Sequence, residues 1–131
     1  MAYILDADWI IQTLKGHVAA KNTLRQFAGE ASYVSWATVG GIYEAGFNSP
    51  NPEAYVASFR DFLLPYRIVG LDKSIIERFA EIRAFLRRRG QMISDFDILL
   101  AATALDRDLT VLTFNLRHFE RIPDIRVYRL N

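Results

Sequence analysis

Five short strand-like runs, each separated from the next by residues at helical spacing, constrain this chain more than any other feature. They are Ala2-Tyr3-Ile4-Leu5, Ser32-Tyr33-Val34-Ser35, Tyr66-Arg67-Ile68-Val69, Leu109-Thr110-Val111-Leu112-Thr113 and Ile125–Tyr128. Strands joined through helices cannot pair as hairpins. They form a parallel sheet whose two faces are covered by the intervening helices. The expected fold class is therefore α/β, a three-layer α/β/α arrangement around a parallel sheet of about five short strands. The 131 residues contain no internal repeat and no linker long enough to divide them, so residues 1–131 read as one domain.

The helices announce themselves by spacing and punctuation. Ile10, Ile11 and Leu14 follow Trp9, and Lys15-Gly16 closes that stretch; another runs from Val18 to Phe27 and stops at Gly29. Residues 37–47 keep helical periodicity in spite of Gly40-Gly41, and Asn48-Ser49-Pro50-Asn51-Pro52 breaks the chain before a helix over 53–64. Asp72 reads as the N-cap of an amphipathic helix over 74–89, whose apolar face holds Ile75, Phe79, Ile82 and Leu86 and which Gly90 terminates. Ser94 or Asp95 caps an apolar helix over 97–105, and a short helix over 116–119 precedes Pro123. Trp9 and Trp36 read as core anchors. Trp9, Phe47, Phe59 and Phe62 read as surplus to one small core, available to a dimer or partner groove.

Composition removes several functions. There is no cysteine, hence no disulfide framework, thiolate metal site or thiol nucleophile. Two histidines, His17 and His118, are too scattered for a zinc site, and His118 reads as a solvated face or an RNA contact. No phosphate-binding glycine loop or serine elbow is present. No apolar run approaches the roughly 20 residues of a membrane helix, and the opening has no basic leader; a cytoplasmic protein is the expectation. The net charge is only +1, yet it is uneven: −2 over residues 1–66 and +3 over residues 67–131. Arginines gather at 83 and 87–89, and again at 117, 121, 126 and 129, which reads as a solubilising surface or as phosphate contacts for a nucleic-acid backbone.

What remains is a set of acids and amides at strand ends. In a parallel sheet, ligands collect beyond the carboxyl ends of the strands. Asp6 and Asp8 follow the first strand, Glu44 lies on the helix after the second, Asp95 and Asp97 open a buried helix, and Asn115 follows the fourth strand. Asp8 reads as the cap of the first helix with Trp9 its first residue, Asp95 as a surface or capping group, and Asp97 either as a cap or as a ligand. Clustered oxygens repel unless a cation sits among them, and hard oxygen donors suit Mg²⁺ or Mn²⁺. A receiver-type phospho-acceptor would need a lysine beyond its last strand, and none follows Lys73.

Three separated motifs then agree. Ile4-Leu5-Asp6-Ala7-Asp8, the segment Ile93-Ser94-Asp95-Phe96-Asp97 leading into Ile98–Ala102, and Leu112-Thr113-Phe114-Asn115-Leu116-Arg117-His118-Phe119 with Ile122-Pro123 resemble the opening, middle and closing motifs of PIN domains. The nearest resemblance is to the VapC-like ribonuclease toxins of toxin–antitoxin pairs, and it spans the whole chain in order. It implies a metal-dependent endoribonuclease that leaves 5′-phosphate and 3′-hydroxyl ends, with Asp6 and Asp97 as Mg²⁺ or Mn²⁺ ligands. It carries Asn115 to the fourth site position and Ser35 and Thr38 to the polar residues flanking the second strand. It further implies a VapB-like antitoxin as partner, a structured RNA such as a tRNA as substrate, and a homodimer. A rival function is a PIN-fold module that binds RNA or an antitoxin without cutting.

One position departs from the family pattern. Counting three residues from Thr38, where the pattern has an acid, reaches Gly41. The nearest acid is Glu44, one turn further and about 4.5 Å along the helix axis. Either Glu44 takes over with a shifted helix, or the natural protein lacks one ligand and is weak or inactive, or Gly41 is an attenuating replacement of glutamate. A glycine in a helix interior costs about 1 kcal/mol against alanine, which favours the last.

Overall fold

The computed structural model describes residues 1–130. The first strand, β1 (Tyr3–Leu5), runs into α1 (Ala7–Leu14) and α2 (Val18–Gln26). The pattern repeats with β2 (Ser32–Ser35), α3 (Trp36–Phe47) and α4 (Pro52–Leu63), then β3 (Arg67–Val69), α5 (Lys73–Arg88) and α6 (Asp95–Arg107), and closes with β4 (Thr110–Leu112) and α7 (Leu116–Phe119). The strands lie in the order β3-β2-β1-β4, and each neighbouring pair is parallel. Leu5 stands opposite Leu112, and Ser35 opposite Val69, so all four strands end at one edge.

Side chains alternate along each strand and divide the core in two. Ile4, Val69 and Val111 join Ile75, Ile82, Leu86, Ile98 and Ala101 of α5 and α6 on one face. Tyr3, Leu5, Val34 and Leu112 join Trp9, Ile10, Ile42 and Phe59 of α1, α3 and α4 on the other. The three-layer α/β/α expectation is met. Asp72 caps α5 as expected, accepting from Ile75 N at 3.0 Å, and Gly29 and Gly90 follow their helices at φ 97° and 65°.

The expected fifth strand over 125–128 shrinks to a single bridge between Val111 and Val127, made by two hydrogen bonds of 2.9 Å. Pro123 and Asp124, the latter at φ 66°, turn the chain just before it, and Val127 alone comes into register. Two aromatic readings divide. Trp9 and Phe59 are core, fully needed by it, whereas Trp36 is exposed rather than an anchor, because as the first residue of α3 it stands beyond the sheet edge. Phe47 is likewise exposed, at the far end of the same helix.

Candidate active site

The carboxyl edge of the sheet is built around Asp6. Its backbone N–H donates to Leu112 O at 2.9 Å, locking the end of β1 to β4. Its Oδ1 accepts from Ala7 N at 2.7 Å, so Asp6, not Asp8, is the N-cap of α1. The expectation that Asp8 caps α1 is corrected by this bond. The helix begins one residue after the strand, which places Asp8 inside its first turn with a carboxylate free for other work.

That carboxylate crosses to the end of β4. Phe114 N donates to Asp8 Oδ2 at 3.1 Å. Thr113, buried, donates its hydroxyl to Asp6 Oδ2 at 2.7 Å, and the same hydroxyl lies 3.4 Å from Asp8 Oδ2. Asn115 N in turn donates to Thr113 Oγ1 at 2.9 Å. A belt of hydrogen bonds over 113–115 thus holds both acids in place.

The belt continues to Asp97. Ser94 caps α6 by accepting from Asp97 N at 3.2 Å, which leaves the Asp97 side chain free. His118 Nδ1 lies 2.9 Å from Asp97 Oδ2 and 2.7 Å from the Asn115 side-chain amide. A carboxylate can only accept, so the contact with Asp97 needs a proton on Nδ1, whereas the contact with Asn115 Nδ2 needs Nδ1 to accept; the tautomer decides between them. His118 is therefore a contact of Asp97 rather than a solvated face. Its signal was the spacing Asn115…His118, which places both on one side of a short helix.

The electrostatics follow from this crowding. Burial pushes the Asp6 carboxyl up to about 7, reinforced by the charges of Asp8 and Asp97 and opposed by the Thr113 hydroxyl. Burial also raises Asp8, with its hydrogen bonds from Phe114, Trp9 and Thr113 pulling the other way. Asp6, Asp8 and Asp97 thus stand close enough for Asp97 to raise the titration of the other two. Among the described residues, no three acidic or histidine side chains converge tightly enough to cage a metal. Their hard oxygens fit instead an ion that uses one or two carboxylates and keeps its waters, the habit of Mg²⁺.

The other expected residues separate. Ser35 and Thr38 are buried and serve the start of α3: Ser35 Oγ accepts from Thr38 N at 3.1 Å and donates to Thr38 Oγ1 at 3.2 Å. Glu44 is exposed, and among the described residues no hydrogen bond or ion pair ties its side chain to the acids. Gly41 is the position that faces the site: a Cβ there would meet Ala7 Cβ at 4.0 Å, next to Asp6. Helix α3 runs unbroken from Trp36 to Phe47, so no shift of the helix carries Glu44 forward. Asp95 is a surface group paired with Arg83 at 2.9 Å. The arginine clusters are largely spent on neighbours, as in Arg126 with Asp108 at 2.7 Å and Arg129 with Glu120 at 3.0 Å. A cavity of about 500 Å³ between α1 and α4, lined by Ile11, Leu14, Pro50, Ala54 and Tyr55, holds none of these acids.

A parallel α/β/α sheet with acids gathered where β1, α6 and β4 meet defines a class, and residues 3–125 match the PIN domain; the chain belongs to that family. Within it, the chain is similar to proteins called VapC. It is 32% identical to ribonuclease VapC2 of Haemophilus influenzae over 96% of each chain. It is 29% identical to the tRNA(fMet)-specific endonuclease VapC of Salmonella typhimurium, over 97% of this chain and 96% of that one. The structure of DNA-bound VapBC from Salmonella typhimurium superposes with a TM-score of 0.90 at 28% identity, covering 98% of this chain and 97% of that one.

Proposed function

We propose that this chain is a divalent-metal-dependent endoribonuclease, the toxin of a toxin–antitoxin pair. The observation that carries the reading is the convergence of Asp6, Asp8 and Asp97 at the sheet edge, held by Thr113, Asn115 and His118. Asp6 and Asp97 would hold Mg²⁺ or Mn²⁺, and Asp8 adds negative charge beside them. When bound, such an ion supplies an activated water and stabilises charge on a phosphoryl oxygen. Thr113 fixes the Asp6 carboxylate against rotation, and His118 with Asn115 fixes that of Asp97. No side-chain nucleophile is called for, in keeping with the absence of cysteine. The ribonuclease names of the similar proteins support RNA as substrate, and the tRNA-specific one supports a structured RNA. A VapB-like antitoxin is proposed as its partner, supported by the VapBC neighbour, and a homodimer as its assembly.

Gly41 favours a second reading, a weakened module that binds RNA or antitoxin without cutting, because the position beside Ala7 carries no carboxylate. One experiment separates the two: cleavage of a structured RNA pool with Mn²⁺ by the chain and by its Gly41→Glu variant. Cutting by both establishes the enzyme, with Asp6, Asp8 and Asp97 sufficient. Cutting by the variant alone makes position 41 the missing ligand. Binding without cutting by either overturns the nuclease reading in favour of the binding module.

A further inference from the structure

The loop leaving β4 carries an aromatic ring that the nuclease chemistry leaves without a task. Phe114 lies between Thr113, which holds Asp6, and Asn115, which meets His118, and its own N–H is given to Asp8. Its ring stacks on that of Trp9, with centroids 4.6 Å apart and planes within 14°. His17 borders it at 5.2 Å, tilted by 59°. Trp9 is 1% exposed, while Phe114 remains 37% open to solvent. The indole is therefore a fixed backing, and the phenyl ring is held out in front of it.

Stacking on the indole buries part of the Phe114 ring, and the bond from its N–H to Asp8 holds the loop so that the rest stays open to solvent. We propose that Phe114, backed by Trp9, is the stacking platform for an unpaired RNA base beside the phosphate that is cut. This rests on the nuclease reading above. Sequence-specific contacts with RNA fall on splayed, unpaired bases, and flat aromatic side chains receive them. A phenyl ring has no hydrogen-bonding group, so the platform selects an unpaired base without selecting which one. Arg117, exposed, three residues on and without an ion-pair partner among the described residues, supplies positive charge for the adjoining backbone.

The test uses a hairpin RNA carrying 2-aminopurine in its loop, bound in EDTA so that no metal-dependent cutting occurs. The chain should quench the fluorophore on binding. Phe114→Leu should bind roughly tenfold more weakly and lose the quench, whereas Phe114→Trp should keep both. Phe47→Leu is the control, since Phe47 is also exposed and stacks on Tyr43 at 6.3 Å, but stands at the far end of α3. Melting temperatures of all three variants verify that each is folded. Equal binding and quench by Phe114→Leu overturn the platform, and so does a Phe114→Leu variant that keeps RNA but loses an antitoxin tail. In either of those cases, cutting of RNA by the unaltered chain with Mn²⁺ leaves the nuclease reading standing. A quench that depends on Phe114 in a chain that never cuts sustains the platform and sinks the nuclease reading alone.

Discussion

Replacing Asp6 by asparagine should make the metal-free protein more stable while abolishing its reaction. The folded carboxyl titrates at about 7 against an ordinary 3.8, because it is buried and faces Asp8 and Asp97. The folded state thus holds this proton more tightly than the unfolded chain. Its contribution is full below the unfolded value and is lost as pH rises through about 7. Three units correspond to about 4 kcal/mol; Asp6 keeps some contact with solvent, and screening there reduces the figure to roughly 2 kcal/mol. Asparagine caps a helix as well as aspartate, so α1 loses nothing at its start. It can also offer an N–H to Thr113 Oγ1 in place of the oxygen that now accepts from it. For a domain of this size each kcal/mol moves the melting temperature by about 4 °C, so Asp6→Asn should melt roughly 8 °C higher at about pH 7.5 in EDTA. The gain should shrink steadily toward about pH 4, where both residues are neutral. Adding Mn²⁺ should then raise the melting temperature of the unaltered chain and leave the variant unmoved. Paired thermal melts across this pH range are the assay. An unchanged or lower melting temperature for Asp6→Asn at neutral pH, or the same pH slope in both proteins, refutes the electrostatic account of the site.

Other consequences are smaller and independent. Thr113→Val removes the hydroxyl that lowers the Asp6 titration, so the pH profile of Mn²⁺-dependent cleavage should move to higher pH, with a stability loss of about 1–3 kcal/mol in urea denaturation. Ser94→Ala takes away the cap that accepts from Asp97 N and should cost about 1 kcal/mol, readable in the same denaturation experiment. Gly46→Ala places a methyl 2.7 Å from Tyr55 Cδ1 where α3 meets α4, and should destabilise by about 1–3 kcal/mol, whereas Gly40→Ala, with open space around it, should stabilise by about 1 kcal/mol.

The alternation of strand and helix was enough to read the layers, because a buried parallel sheet leaves the same mark on the sequence everywhere: an apolar run, a turn, a helical face. Boundaries and edges were less legible. Nothing in Asp6-Ala7-Asp8 says whether the helix begins before or after the alanine, yet that single residue decides which acid caps and which reaches Phe114. The last strand is a weaker case of the same kind: Ile125–Tyr128 has the right composition, yet only Val127 comes into register with β4. Asp6, Asp97 and Asn115 were found at the sheet edge because strand ends are where topology gathers residues. Thr113 was read only as part of a motif and His118 only as a solvated face or an RNA contact, because their importance lies in what they touch, and those contacts join residues 107 and 21 positions apart. Glu44 was placed by counting along a helix, and the helix, once seen, puts Gly41 rather than Glu44 against Ala7.

The hydrogen bond from Thr113 to Asp6 also sets an order of events. β1 sits in the middle of the sheet, yet its neighbour β4 is the last strand to be made. A ribosome must add 106 residues after Asp6 before the Leu112 carbonyl is there to receive the Asp6 N–H. Until then Asp6 and Asp8 hang from the end of a strand that is paired on one side only. Every fragment that stops short of residue 113 therefore carries the first acids of the site and none of the belt that holds them. A chain cut before residue 113 lacks the hydroxyl that holds Asp6 Oδ2, so the site is assembled only once β1 and β4 have paired.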